Sequence, residues 1–267
     1  MFVERPGGKL FYDVVDHTPG WLADPETIVF LHGVGAGHEL WVGWLPALID
    51  RYRLLLIDTR GCGQSAGIAD YAAWTLDGLS DDVLAVADHA GIGEFHIVGE
   101  SAGGTAVLNL LTRGIDRIRT ATTLSTAHRG GQIERVRKWR ADVEANGVPW
   151  WSDQMMEHRF HPGALTPAQA AFFKARQDAS TAEALLRKGE ILLETDQTGK
   201  LSSIRCPLLM MLPDRSPFVT PDIGVEILGA VPSSELCIIL HSKHGIFYSH
   251  AAFASAQLRD FLARQSA

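Results

Sequence analysis

The segment Gly99-Glu100-Ser101-Ala102-Gly103 carries the clearest chemical signal in the sequence. It follows the apolar run 95–98 and precedes a helical pattern that begins at Ala102. A serine between two glycines at a strand-to-helix turn is typical of a nucleophile elbow, where a strained backbone lifts the hydroxyl clear of the sheet. The pattern therefore predicts that Ser101 is a nucleophile. The amide of Ala102, at the start of the helix, is expected to face a developing oxyanion.

A serine hydroxyl needs a general base, and two later loops supply candidates for it and for its partner. Asp214 follows the apolar run 207–212, and His244 follows the run 236–240. Loops at the carboxyl ends of parallel strands are where an open α/β sheet holds its functional groups. We predict that His244 takes the Ser101 proton and that Asp214 orients and charge-stabilises the imidazole. The weaker alternatives are His241, His250 and Asp222.

Two further glycine-rich segments follow predicted strands. The first, 32–37, has the spacing G-x-G-x-G rather than the G-x-G-x-x-G of a dinucleotide-binding loop. Its amides suit an oxyanion hole, with Val34 as the expected donor beside Ala102 and Gly35 as the alternative to Val34. The second, 58–65, is interpreted as a scaffold: a tight turn in which Asp58 is hydrogen-bonded to backbone.

Short apolar runs alternate with helical patterns along most of the chain, which predicts the frame that positions these loops. The later runs are almost continuously apolar, as expected for parallel strands buried on both faces. A hairpin is expected around residues 5–8, at the turn signal Arg-Pro-Gly-Gly. The expected strands are 28–31, 52–57, 95–98, 120–124, 207–212 and 236–240, and the expected helices are 76–89, 102–113, 221–228 and 251–264.

The alternation stops between residues 128 and 203, where helical segments rich in Trp, Met and Phe replace the strands. This pattern predicts a helical cap, or lid, at 128–203 on a core made of 1–127 and 204–267. A basic run in the cap could supply one guanidinium for a substrate carboxylate, although such a run is more often a solvated helix face. Residues 158–161 are interpreted as a surface patch. The run comprises Arg129, Arg135, Arg137, Lys138 and Arg140, and the pocket candidates are His32, Trp139, Trp151, Met155 and Phe160.

Composition excludes several other classes of protein. The 267 residues carry 24 basic and 31 acidic side chains, a formal charge of −7, which argues against nucleic-acid binding. No run approaches ~18 apolar residues and the N-terminus has no apolar core of a signal peptide, so no membrane contact is expected. Three cysteines are too few for a disulfide framework, which favours a cytoplasmic protein. No metal-binding motif is found, and no cofactor is expected.

With these residues in hand, the chain resembles the α/β-hydrolase superfamily. The resemblance rests on His32-Gly33, Asp58-x-Arg60-Gly61-x-Gly63-x-Ser65, the elbow at 99–103, Asp214 and His244, in that order. Within the superfamily the chain looks most like 3-oxoadipate enol-lactonases and related hydrolases of small esters and lactones. Glu100 departs from the residue usual before the serine in enol-lactonases.

The resemblance implies an α/β-hydrolase fold, a mostly parallel central sheet flanked by helices with a helical cap insertion. It also implies a serine hydrolase of a small ester or (enol-)lactone that acts through an acyl-enzyme on Ser101, as a monomer or homodimer. One alternative is a C–C bond hydrolase of ring-cleavage diketones with the same triad. Another is a ligand-binding receptor that kept the fold and lost turnover.

Overall fold

A central sheet of eight strands organises the computed structural model, which describes residues 1–265. The strand order across the sheet is β1-β2-β4-β3-β5-β6-β7-β8. Strands β3 to β8 run parallel to their neighbours, and the N-terminal hairpin β1-β2 joins the edge in antiparallel register. The strands are β1 (Phe2–Arg5), β2 (Gly8–Val15), β3 (Thr27–Leu31), β4 (Arg53–Ile57), β5 (Phe95–Glu100), β6 (Ile118–Leu124), β7 (Leu208–Pro213) and β8 (Ser234–Ile239).

Helices cover both faces of this sheet, as the alternating pattern predicts. The predicted helix at 76–89 has the observed bounds of α2, and the other three predicted helices differ from α3, α7 and α9 by no more than two residues at either end. The helices are α1 (Leu45–Leu48), α2 (Leu76–His89), α3 (Ala102–Thr112), α4 (Trp139–Arg159), α5 (Pro167–Asp178), α6 (Ala182–Glu194), α7 (Pro221–Ala230), α8 (Ile246–Ser249) and α9 (Ala251–Gln265). Short 3₁₀ helices span His38–Trp44, Gly63–Ser65, Tyr71–Ala73, Gly130–Gln132, Glu134–Lys138 and Thr198–Ser203.

The core lies on both sides of the sheet, which explains the continuous apolar strands. Successive side chains of a strand point to opposite faces. Val29 of β3 is buried among the residues beneath α2 and α3, whereas its neighbour Phe30 is buried on the other face against Trp41 and Trp44. All the residues of β3, β5 and β7 are buried. A strand of this kind has no solvent face on which polar residues would alternate.

The stretch between β6 and β7 is helical, and α4 to α6 fall within it. Helix α4 is kinked at Gly147, whose φ of 83° interrupts the helix just before Pro149. Trp151 of α4 and Gln177 of α5 lie against Gly35, in the glycine-rich loop that follows β3. These helices therefore close over the carboxyl ends of the strands. Among the described residues, none of the helices combines the length and hydrophobicity needed to cross a membrane.

Candidate active site

Ser101 lies in a strained turn between β5 and α3. Its φ of 52° and ψ of −117° are unusual for a residue with a side chain. The turn is tight because glycines flank it. A Cβ on Gly99 would lie 2.6 Å from the carbonyl oxygen of Gly103, and a Cβ on Gly103 would lie 2.5 Å from that of Leu31. The two glycines of the motif are therefore required by backbone contacts, as the sequence predicts.

His244 faces Ser101 from the loop between β8 and α8. Its Nε2 lies 3.0 Å from the Ser101 Oγ, and the two residues are 143 positions apart in the chain. The imidazole is buried against the ring of Phe218, and Ser125 donates a hydrogen bond to the His244 carbonyl. Burial, helped by the positive charge of Arg159, lowers the pKa of His244 to about 3. The ring is therefore neutral at physiological pH, as a proton acceptor must be.

Asp214 does not occupy the position expected of it. Its Oδ1 accepts a hydrogen bond from the Ser242 amide at 2.9 Å, and its Oδ2 lies 3.5 Å from the Arg215 guanidinium. Within residues 1–265, neither Asp214 nor any other carboxylate contacts Nδ1 of His244. The physical reason is that Asp214 directly follows β7, so its backbone still pairs with Ile239 of β8 and its side chain bridges to the next loop. The predicted contact between Asp214 and His244 is therefore not present among residues 1–265.

Ser216, two residues further along the same loop, takes that position. Its Oγ lies 3.3 Å from Nδ1 of His244 and also accepts hydrogen bonds from the amides of Phe218 and Val219 at 3.1 and 3.2 Å. A hydroxyl has two acceptor sites and one proton. With both acceptor sites used by amides, the Ser216 proton is left for Nδ1. The resting imidazole then carries its own proton on Nε2, whereas a base for Ser101 needs it on Nδ1.

Glu100 brings a carboxyl group to the other side of the imidazole. Its Oε2 accepts a hydrogen bond from the Gly33 amide at 2.9 Å, and its Oε1 lies 3.8 Å from Nε2 of His244. This Oε1 is buried and has no hydrogen-bond partner among the described residues. Burial raises the pKa of Glu100 to about 7, against the opposing effects of Arg159 and the Gly33 amide. The sequence signal for this group was a charged residue directly before Ser101, at the end of a buried strand.

An apolar cavity opens beside Ser101 and His244. Of the five predicted pocket residues, Trp139 and Met155 line it. The other three do not: Trp151 packs behind Trp139, and Phe160 packs on Phe173. His32 instead joins two loops, because its Nδ1 donates to the Gly33 carbonyl and its Nε2 accepts from the Thr59 amide. The lining comprises Val34, Ser101, Thr105, Ser125, Ala127, Ile133, Val136, Trp139, Met155, Arg159, Leu192, Phe218, Val219 and His244.

Arg159 is a buried cation in this lining that sequence reasoning missed. It is 2% exposed and donates to the Val34 carbonyl at 2.6 Å and to the Gln177 side chain. Its Nε has no partner among the described residues. The interpretation of 158–161 as a surface patch is therefore wrong for Arg159, the last residue of α4, and for Phe160, the extended residue that follows it, because both are buried.

The basic run that precedes Arg159 lies away from the cavity. Arg129, Arg137 and Arg140 make ion pairs with glutamates on the surface, and Lys138 is exposed. Arg135 is also exposed and contacts His158. This run is a solvated helix face, and the residues of the run do not line the cavity.

The residues whose backbone amides are proposed for the oxyanion lie in the glycine-rich loop after β3 and at the start of α3. Val34 lines the cavity, and Arg159 holds its carbonyl so that the loop at 33–35 stays close to Ser101. Ala102 begins α3, so its N–H has no acceptor within the helix. Gly35 has a φ of 67° beneath Trp151. Asp58, as predicted, is a scaffold: it accepts from the amides of His38 and Gln64.

Titratable side chains do not gather into a metal site in residues 1–265: no three His, Cys, Asp or Glu side chains lie close enough to hold a metal ion. The chemistry available at the cavity is that of a hydroxyl, an imidazole and a guanidinium, with the Glu100 carboxyl group beside the imidazole.

The arrangement of a strained serine, a histidine and a glycine-rich loop at the edge of a parallel sheet agrees with the comparisons. A family model described as alpha/beta hydrolase fold matches residues 26–180. The chain belongs to the α/β-hydrolase family. It is therefore a hydrolase in a family whose active sites are built on this edge of the sheet.

Individual relatives support the same assignment. The 3-oxoadipate enol-lactonase 1 of Acinetobacter baylyi is 30% identical over 205 residues, which are 72% of this chain and 72% of that protein. A putative carbamate hydrolase RutD of Agrobacterium fabrum is 24% identical over 252 residues, 90% of this chain and 94% of that protein. The crystal structure of the enol-lactonase from Burkholderia xenovorans LB400 matches the fold with a TM-score of 0.90 at 22% identity, covering 98% of this chain and 100% of that one.

The buried histidine His32 predicts acid sensitivity of this α/β hydrolase. Burial lowers the pKa of His32 from 6.5 to about 4, so below pH 6.5 protons bind the unfolded chain in preference to the folded one. Stability from this group is present above pH 6.5 and is lost as the pH falls towards 4. Between pH 6.5 and 4.5, wild type should lose about 2–3 kcal/mol more of its unfolding free energy than His32→Gln. Urea unfolding at the two pH values measures this difference.

The control for this prediction is His17→Gln, because His17 is exposed. That variant should follow wild type at both pH values. Glu100 and His244 also change the unfolding free energy between these pH values, because their pKa values differ between the folded and unfolded chain. They are present in all three proteins, so their contributions cancel in the comparison. Equal pH dependence of wild type and His32→Gln would contradict the assignment of a neutral, buried His32.

Proposed function

We propose that this hydrolase cleaves small carboxylic esters or lactones through an acyl-enzyme on Ser101. The observation that carries the proposal is the 3.0 Å approach of a buried, neutral His244 Nε2 to the hydroxyl of a strained Ser101. Ser101 attacks the carbonyl carbon as its proton passes to His244. The amides of Ala102 and Val34, with Gly35 as the alternative to Val34, receive the oxyanion. His244 then protonates the leaving alcohol and activates water for deacylation.

The cavity supports a small, largely apolar substrate. Trp139, Met155 and Phe218 surround the approach to Ser101, and helices of the proposed cap at 128–203 supply the first two of these. Such walls exclude water and select acyl or ring groups. Relatives named as an enol-lactonase and a putative carbamate hydrolase act on carbonyl groups of this kind, which is why lactones and carbamates belong among the test substrates.

A substrate panel tests the proposal. Wild-type enzyme is assayed at pH 8 with enol-lactones, short p-nitrophenyl esters, aryl carbamates and ring-cleavage diketones, with Ser101→Ala as the reference for background hydrolysis. We expect turnover of at least one ester or lactone, preceded by a burst of alcohol if deacylation is slower than acylation. Trapping the acyl group on Ser101 by mass spectrometry checks the covalent step.

Other outcomes of this panel overturn the proposal in distinct ways. Turnover of diketones with none of esters or lactones would favour the C–C bond hydrolase. Saturable binding of a lactone without turnover would favour a ligand-binding receptor on the hydrolase fold. Equal rates for wild type and Ser101→Ala would remove Ser101 from the reaction altogether.

A further inference from the structure

His244 lacks the carboxylate that normally compensates an imidazolium in a serine hydrolase. Its Nδ1 meets the neutral hydroxyl of Ser216, and the nearby cation Arg159 disfavours a second positive charge. When His244 takes the Ser101 proton, the resulting imidazolium needs a negative charge within a few ångströms, because burial makes an uncompensated charge costly. Among the described residues, the loop after β7 places no carboxylate at the ring, so the negative charge has to come from another element.

We propose that Glu100 is the counter-ion of His244 and a positioning residue of this active site. Its negative charge stabilises the imidazolium, the role that an aspartate at Nδ1 has in a serine–histidine–aspartate triad. The proposal rests on the serine mechanism above. Its basis is geometric: the free Oε1 of Glu100 is fully buried and lies 3.8 Å from Nε2 of His244. Nε2 is the atom to which the Ser101 proton moves, so the charge forms directly opposite this oxygen.

The proton and electron balance of the step is simple. The Ser101 Oγ–H bond breaks, its proton joins Nε2, and the Oγ electron pair forms the bond to the carbonyl carbon. The ring that accepts this proton is the tautomer with Nδ1–H. It forms when Nε2 gives its proton to solvent and Nδ1 takes one from solvent, and Ser216 Oγ then accepts from Nδ1 in place of one of its two amide donors. Glu100 remains a carboxylate throughout, and its charge attracts the imidazolium without receiving the proton.

The surroundings of Glu100 hold this carboxyl group in place. The Gly33 amide donates a hydrogen bond to Oε2 of Glu100. A glycine is needed at position 33, because a Cβ there would collide with this Oε2 and would lie 2.8 Å from the Cβ of Ser101. The charged or titratable groups that face it are Arg159 from α4 and His244 from the loop after β8. His32, in the loop after β3, turns its ring towards Thr59 instead. Arg159 favours the ionised form of Glu100, and burial opposes it.

The test is Glu100→Gln, which keeps an acceptor for the Gly33 amide and removes the charge. We expect kcat on the best substrate of the panel to fall about 10- to 100-fold. In wild type, kcat should rise with pH through a value near 7, where Glu100 ionises. In Glu100→Gln this rise of kcat near pH 7, the acid limb of the pH profile, should disappear. The remaining acid limb should lie near pH 3, where His244 becomes protonated. The matched control is Asp214→Asn, which should keep wild-type kcat and the limb near 7.

Thermal stability separates this role from a structural one. The pKa of Glu100 is raised from 4.5 to about 7 in the folded chain, so its contribution to stability is present below pH 4.5 and is lost as the pH rises through 7. The melting temperature of Glu100→Gln should therefore be higher than that of wild type at pH 8 and equal to it at pH 4.5, although the variant is the less active enzyme. A variant damaged in its packing would instead melt lower at both pH values.

A readout without turnover keeps the inference separate from the proposed function. The ¹⁵N shifts of His244 should show protonated Nε2 in resting wild type. They should also move as the pH passes through 7, where Glu100 ionises beside the ring, and this step should be absent in Glu100→Gln. Wild-type kcat, an unchanged acid limb near 7 and the same step in the His244 ¹⁵N shifts near pH 7 in Glu100→Gln would overturn the role of Glu100. An unaltered rate in Ser101→Ala would overturn the proposed function, whatever the titration of His244 shows.

Discussion

Replacing Ser101 with alanine should lower kcat for ester or lactone hydrolysis by about 10⁴-fold or more. In the proposed mechanism the hydroxyl is the group that bonds to the carbonyl carbon, and no other hydroxyl among the described residues replaces it at 3.0 Å from His244. Alanine keeps the Cβ that the strained turn already accommodates, so the fold should persist. Activity is measured on the best substrate of the panel, and folding by circular dichroism and thermal melting.

The control for Ser101→Ala is Ser203→Ala, because Ser203 is exposed and its hydroxyl bonds to carbonyls near the surface. This variant should keep wild-type kcat. Loss of activity in Ser101→Ala together with a lost melting transition would instead report misfolding. In that case Ser101→Cys, which restores a nucleophile of similar size, tests whether residue 101 is reactive, through its alkylation by iodoacetamide. Full activity in a folded Ser101→Ala would refute the nucleophile assignment.

Replacing Ser216 with aspartate should raise kcat by about 10-fold or more. A carboxylate only accepts hydrogen bonds, so it can take the amides of Phe218 and Val219 and still require the proton of His244 to be on Nδ1. It also raises the low pKa of His244 by placing a negative charge beside the ring. Holding the wrong tautomer costs a serine triad about 10⁴-fold, and the expected gain recovers part of such a loss.

Ser216→Asn is the matched control, because it has nearly the same size as aspartate but no charge. It should not gain activity, and it should leave the pKa of His244 low. The gain in Ser216→Asp should also shrink the penalty of Glu100→Gln in the double variant, since two carboxylates would then share one role. A kcat for Ser216→Asp no higher than that of Ser216→Asn would contradict the tautomer argument.

Most of the frame was predictable from local sequence patterns. The buried strands β3, β5 and β7 are continuous apolar runs, because both of their faces lie in the core. Helix α2 has clear ends: Thr75 caps its first turn through the Gly78 amide, and a glycine at 91 follows it. Patterns of this kind depend on neighbours a few residues apart, so a single sequence displays them. The same locality made the elbow at 99–103 recognisable.

The contacts of the imidazole were less predictable. The order of Ser101 and His244 in the chain indicated the pair that the structure brings together. The residue that contacts Nδ1 of His244 depends on where β7 ends and on the path of the next loop. A shift of two positions along that loop places Ser216, rather than Asp214, beside Nδ1. A sequence in which a serine stands at that position gives no sign that it faces a histidine.

By itself, then, the sequence determined the α/β frame, the strained serine and the histidine opposite it, because burial periodicity and turn chemistry are local. Tertiary structure alone decided which charges surround that pair. Arg159 reaches the cavity from α4, and Glu100 reaches His244 from β5. Asp214 is drawn away by backbone pairing with β8. Charge interactions depend on distances through space, and periodicity specifies the face of an element but not which side chain meets another across a cavity.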